Sequence, residues 1–266
     1  MTELQHLQSV ILMIMKDIDA ICNKHGIEYY LLGGSAIGAI RHKGFIPWDD
    51  DLDIIMNNEN YNKFLSVCRT ELDPSKYYLQ EGLKDWSMYY SKVRLIGTKF
   101  EESITYNNNP NMQGIFLDIF KMDNVSSNKL IAKWQYFCAK CFLCYQLSVR
   151  GDNKNVFGFK KRLMILLSFP LRIKPLREWF KHQVEKYNGK DTEYYGFFYG
   201  RTKYKTAIVK KSVFGEPIRV PFEDTELCVA EHYDEYLTQM FGDYMTPPPV
   251  DQQVGLHLIN VDFGNY

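Results

Sequence analysis

Residues 31–56 read LLGGSAIGAIRHKGFIPWDDDLDIIM. In this stretch a glycine turn is followed by a run of acids, and the pattern predicts the order of the first elements of the fold. The apolar run over 27–32 predicts a strand, and Ser35 after the turn is expected to cap a helix over 36–41. A helix that starts behind such a turn offers free N–H groups and a positive dipole end to a phosphate. Gly-Gly-Ser also occurs as a plain turn, so the turn alone assigns no function.

The acids that follow the turn indicate a divalent cation. Side chains alternate along a strand, so Asp51 and Asp53 are expected to share one face at the start of a strand over 52–55. Two neighbouring carboxylates repel each other unless a cation lies between them, and oxygen ligands select Mg²⁺ or Mn²⁺. A solvated acidic turn is the alternative. A calcium-binding EF-hand loop is excluded, because Ile54 stands where that loop needs glycine and Asn60 where it needs glutamate.

One further acid lies inside an apolar strand pattern. Residues 114–120 read GIFLDIF, with Asp118 between large apolar side chains. A buried carboxylate is costly unless it is paired or binds a metal. Asp118 is therefore expected to be a third metal ligand if its strand lies beside that of Asp51 and Asp53. A core lysine or a neighbouring turn is the other partner that it could have.

The order of the elements predicts an α+β (mixed α/β) fold, with a mixed β-sheet flanked by helices and a helical insertion. The predicted segments are helices over 2–24 and 59–72, strands over 77–81, 87–96 and 98–104, a helical stretch over 126–190, a strand-like stretch over 206–222 and a helix over 224–241. Nothing in the composition marks a linker. We therefore expect a catalytic core over 1–125, a helical region over 126–205 and a C-terminal segment over 206–266 that completes the same domain.

The composition excludes some classes of function. The 266 residues include 32 Lys and Arg and 32 Asp and Glu, so no overall charge draws the protein to nucleic acid. The N-terminus has the pattern of an amphipathic helix rather than of a secretory signal, and no long uncharged apolar run predicts a membrane span. A cytoplasmic protein is expected. Cys138, Cys141 and Cys144 follow one helix face, so we interpret them as packed thiols rather than a metal site.

A basic and apolar stretch lies in the helical region. Residues 157–181 read FGFKKRLMILLSFPLRIKPLREWFK and mix Leu, Phe and Trp with Lys and Arg. This composition is typical of an amphipathic segment that lies on an anionic membrane surface. A pair of core helices with solvated basic faces would have the same composition, and both interpretations stay open.

Residues 33–53 resemble the signature of the LicD family of phosphotransferases, which includes bacterial phosphocholine transferases and relatives of fukutin. The family shows a GG(S/T)xLGAxRHxGxIPWDDDxD block, from which this chain departs slightly at Ala36 and Ile37. Weaker similarities follow over 91–100, 116–123 and 241–249. The helical middle, over about 126–200, has no clear counterpart in the family pattern. The resemblance implies a nucleotidyltransferase-like core.

The resemblance also implies roles for individual residues. Gly34 and Ser35 would contact a phosphate, Asp51, Asp53 and Asp118 would bind Mg²⁺ or Mn²⁺, and Asp49 would be a further ligand or base. The candidates for contact with the donor diphosphate or nucleotide are Arg41, Lys92 and Arg94, with Lys210, Lys211 and His257 as further candidates. Each of these basic residues has an ordinary alternative, as a surface cation, an ion-pair partner or a packing residue.

The implied reaction is metal-dependent transfer of a phospho-alcohol group, such as phosphocholine, from a CDP-linked donor with release of CMP. The acceptor would be a hydroxyl of a cell-surface glycan, as in lipopolysaccharide or teichoic acid, or of its lipid-linked precursor at the inner face of the membrane. A nucleotidyltransferase that moves a nucleotide to a small acceptor and a catalytically silent nucleotide- or glycan-binding protein are the competing hypotheses. The 19 Tyr and 17 Phe could supply an aromatic box for a quaternary ammonium, but the sequence does not single out which of them.

Overall fold

A curled mixed β-sheet flanked by helices forms the centre of the protein in the computed structural model, which describes residues 1–101, 109–150, 159–198, 202–255 and 258–266. The strands are β1 (Tyr30–Leu31), β2 (Asp53–Asn57), β3 (Tyr77–Gln80), β4 (Ser91–Leu95), β5 (Lys99–Glu101), β6 (Phe116–Val125), β7 (Tyr194–Gly196), β8 (Ile208–Lys210), β9 (Ile218–Phe222), β10 (Thr225–Val229) and β11 (Asn260–Asp262). The helices are α1 (Glu3–His25), α2 (Gly33–Ile37), α3 (Asn58–Glu71), α4 (Lys129–Arg150), α5 (Phe159–Ser168), α6 (Lys174–Glu185), α7 (Tyr204–Ala207), α8 (Lys211–Phe214) and α9 (Tyr233–Phe241). The predicted α+β class is confirmed.

The sheet has the order β1-β2-β6-β4-β3, and it contains one parallel pair, β2 with β6. Strand β6 is 10 residues long, so its C-terminal end extends past β2 and pairs with β7, which pairs in turn with β8. On one face of the sheet, apolar side chains such as Ile54, Leu117 and Ile119 are fully buried. Helix α3 covers this face, where the Tyr61 hydroxyl lies 2.6 Å from the Ser91 hydroxyl of β4. The opposite face carries the acids.

Helix α1 has a well-defined start and end. The side chains of Thr2 and Gln5 form a capping box at its N-terminus, and Gly26 ends it with a left-handed backbone conformation, at φ 57°. Its apolar face is buried against β6 and α3. Burial of this stripe, rather than helix propensity, stabilises such a helix in a protein.

The helical region packs on the far end of β6. Cys138 and Cys141 are buried free thiols in α4, and Cys144 is half-buried, in agreement with their interpretation as packed thiols. Among the helices of the described residues, none is both long and apolar enough to cross a membrane. Strand β7 comes from the segment over 126–205 and β8 from the segment over 206–266, so the sheet includes strands of all three predicted segments. The boundaries at residues 125 and 205 stay a prediction.

The structure corrects two of the predicted elements. The predicted helix over 224–241 is wrong in its first part, because 225–229 form β10, which pairs with β9 through a tight turn at Glu223 and Asp224. The acids at this turn resemble a helix start, but Glu223 has a positive φ of 52°, which turns the chain back on itself. The strand-like stretch over 206–222 is interrupted by the short helices α7 and α8.

Three other predicted strands are shorter in the structure. The runs over 27–32, 77–81 and 87–96 narrow to β1, β3 and β4. The run over 98–104 contains β5, and residues 102–108 lie outside the described part of the chain. A propensity pattern does not record which residues of such a run find a partner strand.

A buried ionic network joins β6 to α6. The Lys121 ammonium lies 2.8 Å from Glu185 Oε1 and 3.2 Å from Oδ1 of Asp123, which is fully buried. The Asn188 amide donates a hydrogen bond of 2.6 Å to the same Asp123 oxygen. Removal of the Lys121 charge would leave two poorly solvated carboxylates. Removing one partner of a buried ion pair costs more free energy than replacing both partners by apolar residues.

We expect Lys121→Met to lower the free energy of unfolding by about 3–5 kcal/mol. The control is Lys16→Met, because Lys16 pairs with Asp224 on the exposed surface and solvent already screens that pair. Urea unfolding at pH 7 checks the prediction. Equal shifts of the two urea midpoints would show that the network does not stabilise the fold in this way.

Candidate active site

A polar row crosses four neighbouring strands on one face of the sheet. Asp53 of β2 is the register partner of Asp118 of β6, which is the partner of Lys92 of β4, which in turn is the partner of Gln80 of β3. Residues that are directly opposite on paired strands point to the same face. The strand of Asp118 therefore lies beside that of Asp53, as the metal hypothesis requires.

Lys92 balances part of the negative charge of this row. Its ammonium lies 3.0 Å from Oδ1 of Asp118, and the side chain is only 2% exposed. The same nitrogen lies 3.2 Å from the centre of the Phe116 ring. A buried lysine with a carboxylate and an aromatic face around it keeps its charge at a smaller desolvation cost.

Asp53 has the least compensated carboxylate of the row. Its Oδ1 atom is buried, and no group in the described ranges donates a hydrogen bond to it. Burial raises the pKa of Asp53 well above its ordinary value, and the charges of Asp51 and Asp118 raise it further. The site thus holds more negative charge than Lys92 neutralises, which is the electrostatic condition for cation binding.

The loop before β2 brings three more carboxylates together. Asp49, Asp50 and Asp51 each offer an oxygen within 4.8 Å of the others, and this close group does not include Asp53 or Asp118. Burial raises the pKa of Asp49 to about 8, with further contributions from the charges of Asp51 and Asp50. Asp51 precedes β2 and is not part of the strand, so the alternation expected for Asp51 and Asp53 does not apply to it.

Two distant segments hold this acidic loop. The Gln8 side chain of α1 donates hydrogen bonds to the backbone oxygens of Ile46, at 3.2 Å, and of Asp49, at 2.9 Å. The backbone N–H of Leu258 donates to Oδ2 of Asp50 at 2.8 Å. The sequence pattern gives no role to Gln8 or Asp50, and both contacts become visible only once the chain is folded.

The glycine turn packs directly on the acids. A Cβ atom on Gly34 would lie 2.8 Å from Oδ2 of Asp49, so the close approach requires glycine. The expectation that Ser35 caps a helix is wrong: α2 begins at Gly33, and Leu32 occupies the capping position without a side-chain hydrogen bond. The Ser35 hydroxyl instead accepts a hydrogen bond of 2.9 Å from the backbone N–H of Asp53. Ser35 thereby fixes the turn to the first residue of β2.

Arg41 and Arg94 have partners within the protein. Arg41 donates to the backbone oxygen of Tyr244 at 2.6 Å and to His42 at 2.9 Å, which links the turn region to the segment after α9. Arg94 lies beside Lys92 on the same face of β4 and is almost fully buried. Its guanidinium donates to Gln80 Oε1 at 2.6 Å and to the Gly114 oxygen at 2.8 Å. These contacts orient both arginines, so neither is a mobile surface cation.

The structure does not bring Lys210 and Lys211 to the acids. Lys210 pairs with Tyr194, which pairs with Val125, seven residues along β6 from Asp118. Seven residues of extended strand span about 23 Å. Lys211 lies over the Tyr195 ring, 4.9 Å from its centre. His257 lies outside the described residues.

Replacement of Asp53 by Asn is expected to stabilise the metal-free protein at pH 8 by an amount on the order of 1 kcal/mol. A carboxyl group whose pKa is raised in the folded state favours folding at low pH. This contribution is lost as the pH rises above the pKa of the group in the unfolded state, near 4, because the carboxyl then ionises more easily in the unfolded chain. The gain from the Asp53→Asn substitution should therefore shrink toward pH 4.5. Urea unfolding in chelator at both pH values measures it, with Asp224→Asn as the exposed control. A loss of stability at pH 8 would contradict the uncompensated charge.

Comparison with known proteins gives two matches that cover the site residues. A family model described as LicD/FKTN/FKRP, nucleotidyltransferase domain, matches residues 26–148, which include the glycine turn, the acidic loop and the polar row. The chain is 31% identical over 267 residues to the lipopolysaccharide cholinephosphotransferase LicD of Haemophilus influenzae, and the alignment covers 96% of each chain.

Two shorter similarities involve uncharacterized proteins. One from Rickettsia typhi is 41% identical over 54 residues, which is 20% of this chain and 18% of that protein. One from Rickettsia prowazekii is 45% identical over 47 residues, or 18% of each chain. The end-to-end match to the Haemophilus influenzae protein, together with the family match over the acids, shows that this chain is an enzyme of the LicD family of transferases.

Proposed function

We propose that the protein transfers a phospho-alcohol group from a CDP-linked donor to a hydroxyl of a cell-surface glycan or of its lipid-linked precursor, and that it releases CMP. Phosphocholine is the first choice of transferred group, because the Haemophilus influenzae relative is named a lipopolysaccharide cholinephosphotransferase. The observation that carries the proposal is the register pair of Asp53 and Asp118 beside the glycine turn, near enough to the loop acids that the charges of Asp51 and Asp49 act on Asp53. A diphosphate donor is anionic, so it can bind to such an acidic site only with a cation.

The residues of this site fit a hard divalent cation, Mg²⁺ or Mn²⁺. Every candidate ligand is a carboxylate, and the buried Oδ1 of Asp53 lacks a hydrogen-bond donor in the described part of the chain. We assign the metal to Asp51, Asp53 and Asp118, with Asp49 as an additional ligand or base. When bound, the cation supplies charge neutralisation on the leaving phosphate.

Asp49 is the best candidate to accept the proton of the acceptor hydroxyl. Burial and neighbouring acids raise the pKa of Asp49 to about 8, and a carboxylate with a raised pKa is a stronger base. Asp118 is less suited, because the Lys92 ammonium stabilises its anionic form. As the acceptor oxygen bonds to the distal phosphorus, the bond from that phosphorus to the CMP oxygen breaks.

Other side chains would position the donor. Ser35 accepts a hydrogen bond from the Asp53 N–H, and a hydroxyl in that role can still donate its own proton to a phosphate oxygen. Gly34 has no side chain, so the Asp49 carboxylate packs directly on the turn that would contact the phosphate. Lys92 and Arg94 are held on the same face as the acids, so they add positive potential behind the diphosphate.

Two other functions use the same residues. A nucleotidyltransferase would move a nucleotide to a small acceptor and release pyrophosphate instead of CMP. A catalytically silent protein would bind a nucleotide or glycan without turnover. The complete set of acids favours an active enzyme, since loss of these acids is the simplest route to inactivity.

We expect Asp51→Asn, Asp53→Asn and Asp118→Asn each to lower kcat by at least about 100-fold, because each removes charge from the proposed cation site. The assay measures CMP release from a panel of CDP-alcohols with a glycan acceptor, with and without added Mg²⁺ or Mn²⁺. Asp224→Asn is the control, since Asp224 lies on the exposed hairpin turn. Near-normal turnover by any of the three variants, or turnover in chelator, would contradict the assignment.

The helical region presents an exposed apolar face. Residues Leu130, Trp134 and Phe137 line one side of α4, and Trp134 stacks on Phe137 with ring centres 5.5 Å apart. Trp179 of α6 continues this surface, 6.2 Å from Trp134. The helical region exposes five further large apolar side chains on α5 and between α5 and α6, namely Leu163, Leu166, Leu167, Phe169 and Ile173. We call these residues, together with those of α4 and Trp179, the helical face, and we propose that they share one surface.

The helical face lies in the most basic part of a neutral chain. Residues 129–186 contain 13 Lys and Arg but three Asp and Glu, whereas the whole chain has 32 of each. Apolar side chains among exposed cations are the composition of a surface that binds anionic lipid. We propose that the helical face contacts the inner face of a membrane, where a lipid-linked acceptor would be presented.

The triple variant Leu166→Ser, Phe169→Ser, Ile173→Ser is expected to reduce binding to vesicles of phosphatidylglycerol and phosphatidylcholine several-fold in a sedimentation assay. These side chains are each more than half exposed, so the fold should not change. The matched control is Val250→Ser, Val254→Ser, Ile259→Ser, which removes equally exposed apolar side chains elsewhere. Equal binding of the two variants, or equal binding of the wild type to vesicles without anionic lipid, would contradict the proposal.

A further inference from the structure

A group of aromatic rings adjoins the polar row. Trp86 and Tyr90 meet edge to face with ring centres 4.8 Å apart, and Tyr90 stacks on Phe120 at 4.5 Å. Phe197 meets Phe120 at 5.4 Å. We call Trp86, Tyr90, Phe120 and Phe197 the aromatic group.

Strand alternation and ring contacts place the aromatic group on the acidic face. Phe120 follows Asp118 by two residues on β6, and Tyr90, which lies just before β4, stacks on Phe120. Side chains two apart on a strand point to the same side. Two residues of a strand span about 7 Å, so the nearest ring, that of Phe120, is attached about 7 Å along β6 from Asp118.

The rings of this group are less buried than the rings at the centres of the cores. All four are partly exposed, whereas Phe64, Phe142 and Phe198 are fully or almost fully buried. Phe120 and Phe197 pack against the main core with part of their surface and leave the rest in water. A ligand that covers these rings removes apolar surface from water.

Carboxylates near the rings offset the charge of a bound cation. The Lys92 ammonium lies 5.7 Å from the centre of the Trp86 ring and 5.8 Å from that of Tyr90, and its own charge is paired with Asp118. Asp118 and Asp53 supply negative charge in the same row. Aromatic faces and nearby carboxylates together attract an organic cation, which is weakly hydrated and so loses little solvation when it binds.

We propose that the aromatic group binds the quaternary ammonium of the donor, and that it selects choline over alcohols without a methylated nitrogen. This inference rests on the proposed function, in which the acids bind the diphosphate end. A trimethylammonium group has no N–H to donate, so its recognition depends on aromatic faces rather than on hydrogen bonds. The short ethylene bridge of choline suits the small separation between the acids and the rings.

Tyr90→Leu tests the proposal because it removes one ring face and keeps an apolar side chain. We expect the ratio of kcat/KM for CDP-choline to kcat/KM for CDP-ethanolamine to fall by about 5- to 30-fold, mainly through KM for CDP-choline. Tyr90→Phe is the matched control, because it keeps the ring and should keep the ratio within about twofold of the wild type. Phe197→Leu is the second variant, should Tyr90→Leu fail to fold, and the same direction is expected.

A merely structural role for the rings would lower turnover of both donors equally and leave the ratio unchanged, which would overturn the proposal. A second measurement separates it from the proposed function. If the wild type turns over no CDP-alcohol, the proposed function fails, and calorimetry with tetramethylammonium still tests the site. Weaker binding by Tyr90→Leu than by Tyr90→Phe supports the aromatic group, whereas equal binding or none contradicts it.

Discussion

The parallel pairing of β2 with β6 is the constraint on which the site depends. It makes Asp53 and Asp118 register partners although they are 65 residues apart in the chain, and the pairing of β6 with β4 then places Asp118 between Asp53 and Lys92. A slip of one residue would turn one of these carboxylates into the apolar face below the sheet. A slipped strand would carry its fully buried side chains to the acidic side, Ile54 from β2 or Leu117 and Ile119 from β6. The loss of their burial opposes the slip. The apolar face thus fixes the geometry of the polar one.

The fold holds these acids at a cost in free energy. The uncompensated carboxylate of Asp53 and the crowded loop acids oppose the stability of the metal-free protein. The large core and the hydrogen bonds of Gln8 and Ser35 offset this cost. A rigid scaffold beneath a polar site with unbalanced charge is what the proposed cation site requires.

Much of the fold was predictable from local patterns. The α+β class, helices α1 and α3 and the placement of Asp118 on a strand follow from hydrophobic periodicity, which reports what each segment buries. The run over 225–229 was misassigned because its turn depends on the backbone angle at Glu223 rather than on composition. The Lys92 pair with Asp118 could not be read from the sequence, since register between distant strands has no local signature. The position of Lys210 relative to the acids depends on strand register in the same way, through β7 and β8.

One contact gives the acidic loop a dependence on a remote part of the molecule. The Leu258 N–H anchors Asp50, and the segment that contains it continues into β11, which pairs with β5 at the edge of the fold. The donor is a peptide group, so among substitutions at position 258 only proline removes it. The position of the Asp50 carboxylate therefore depends on where the terminal segment docks, whatever side chain position 258 carries.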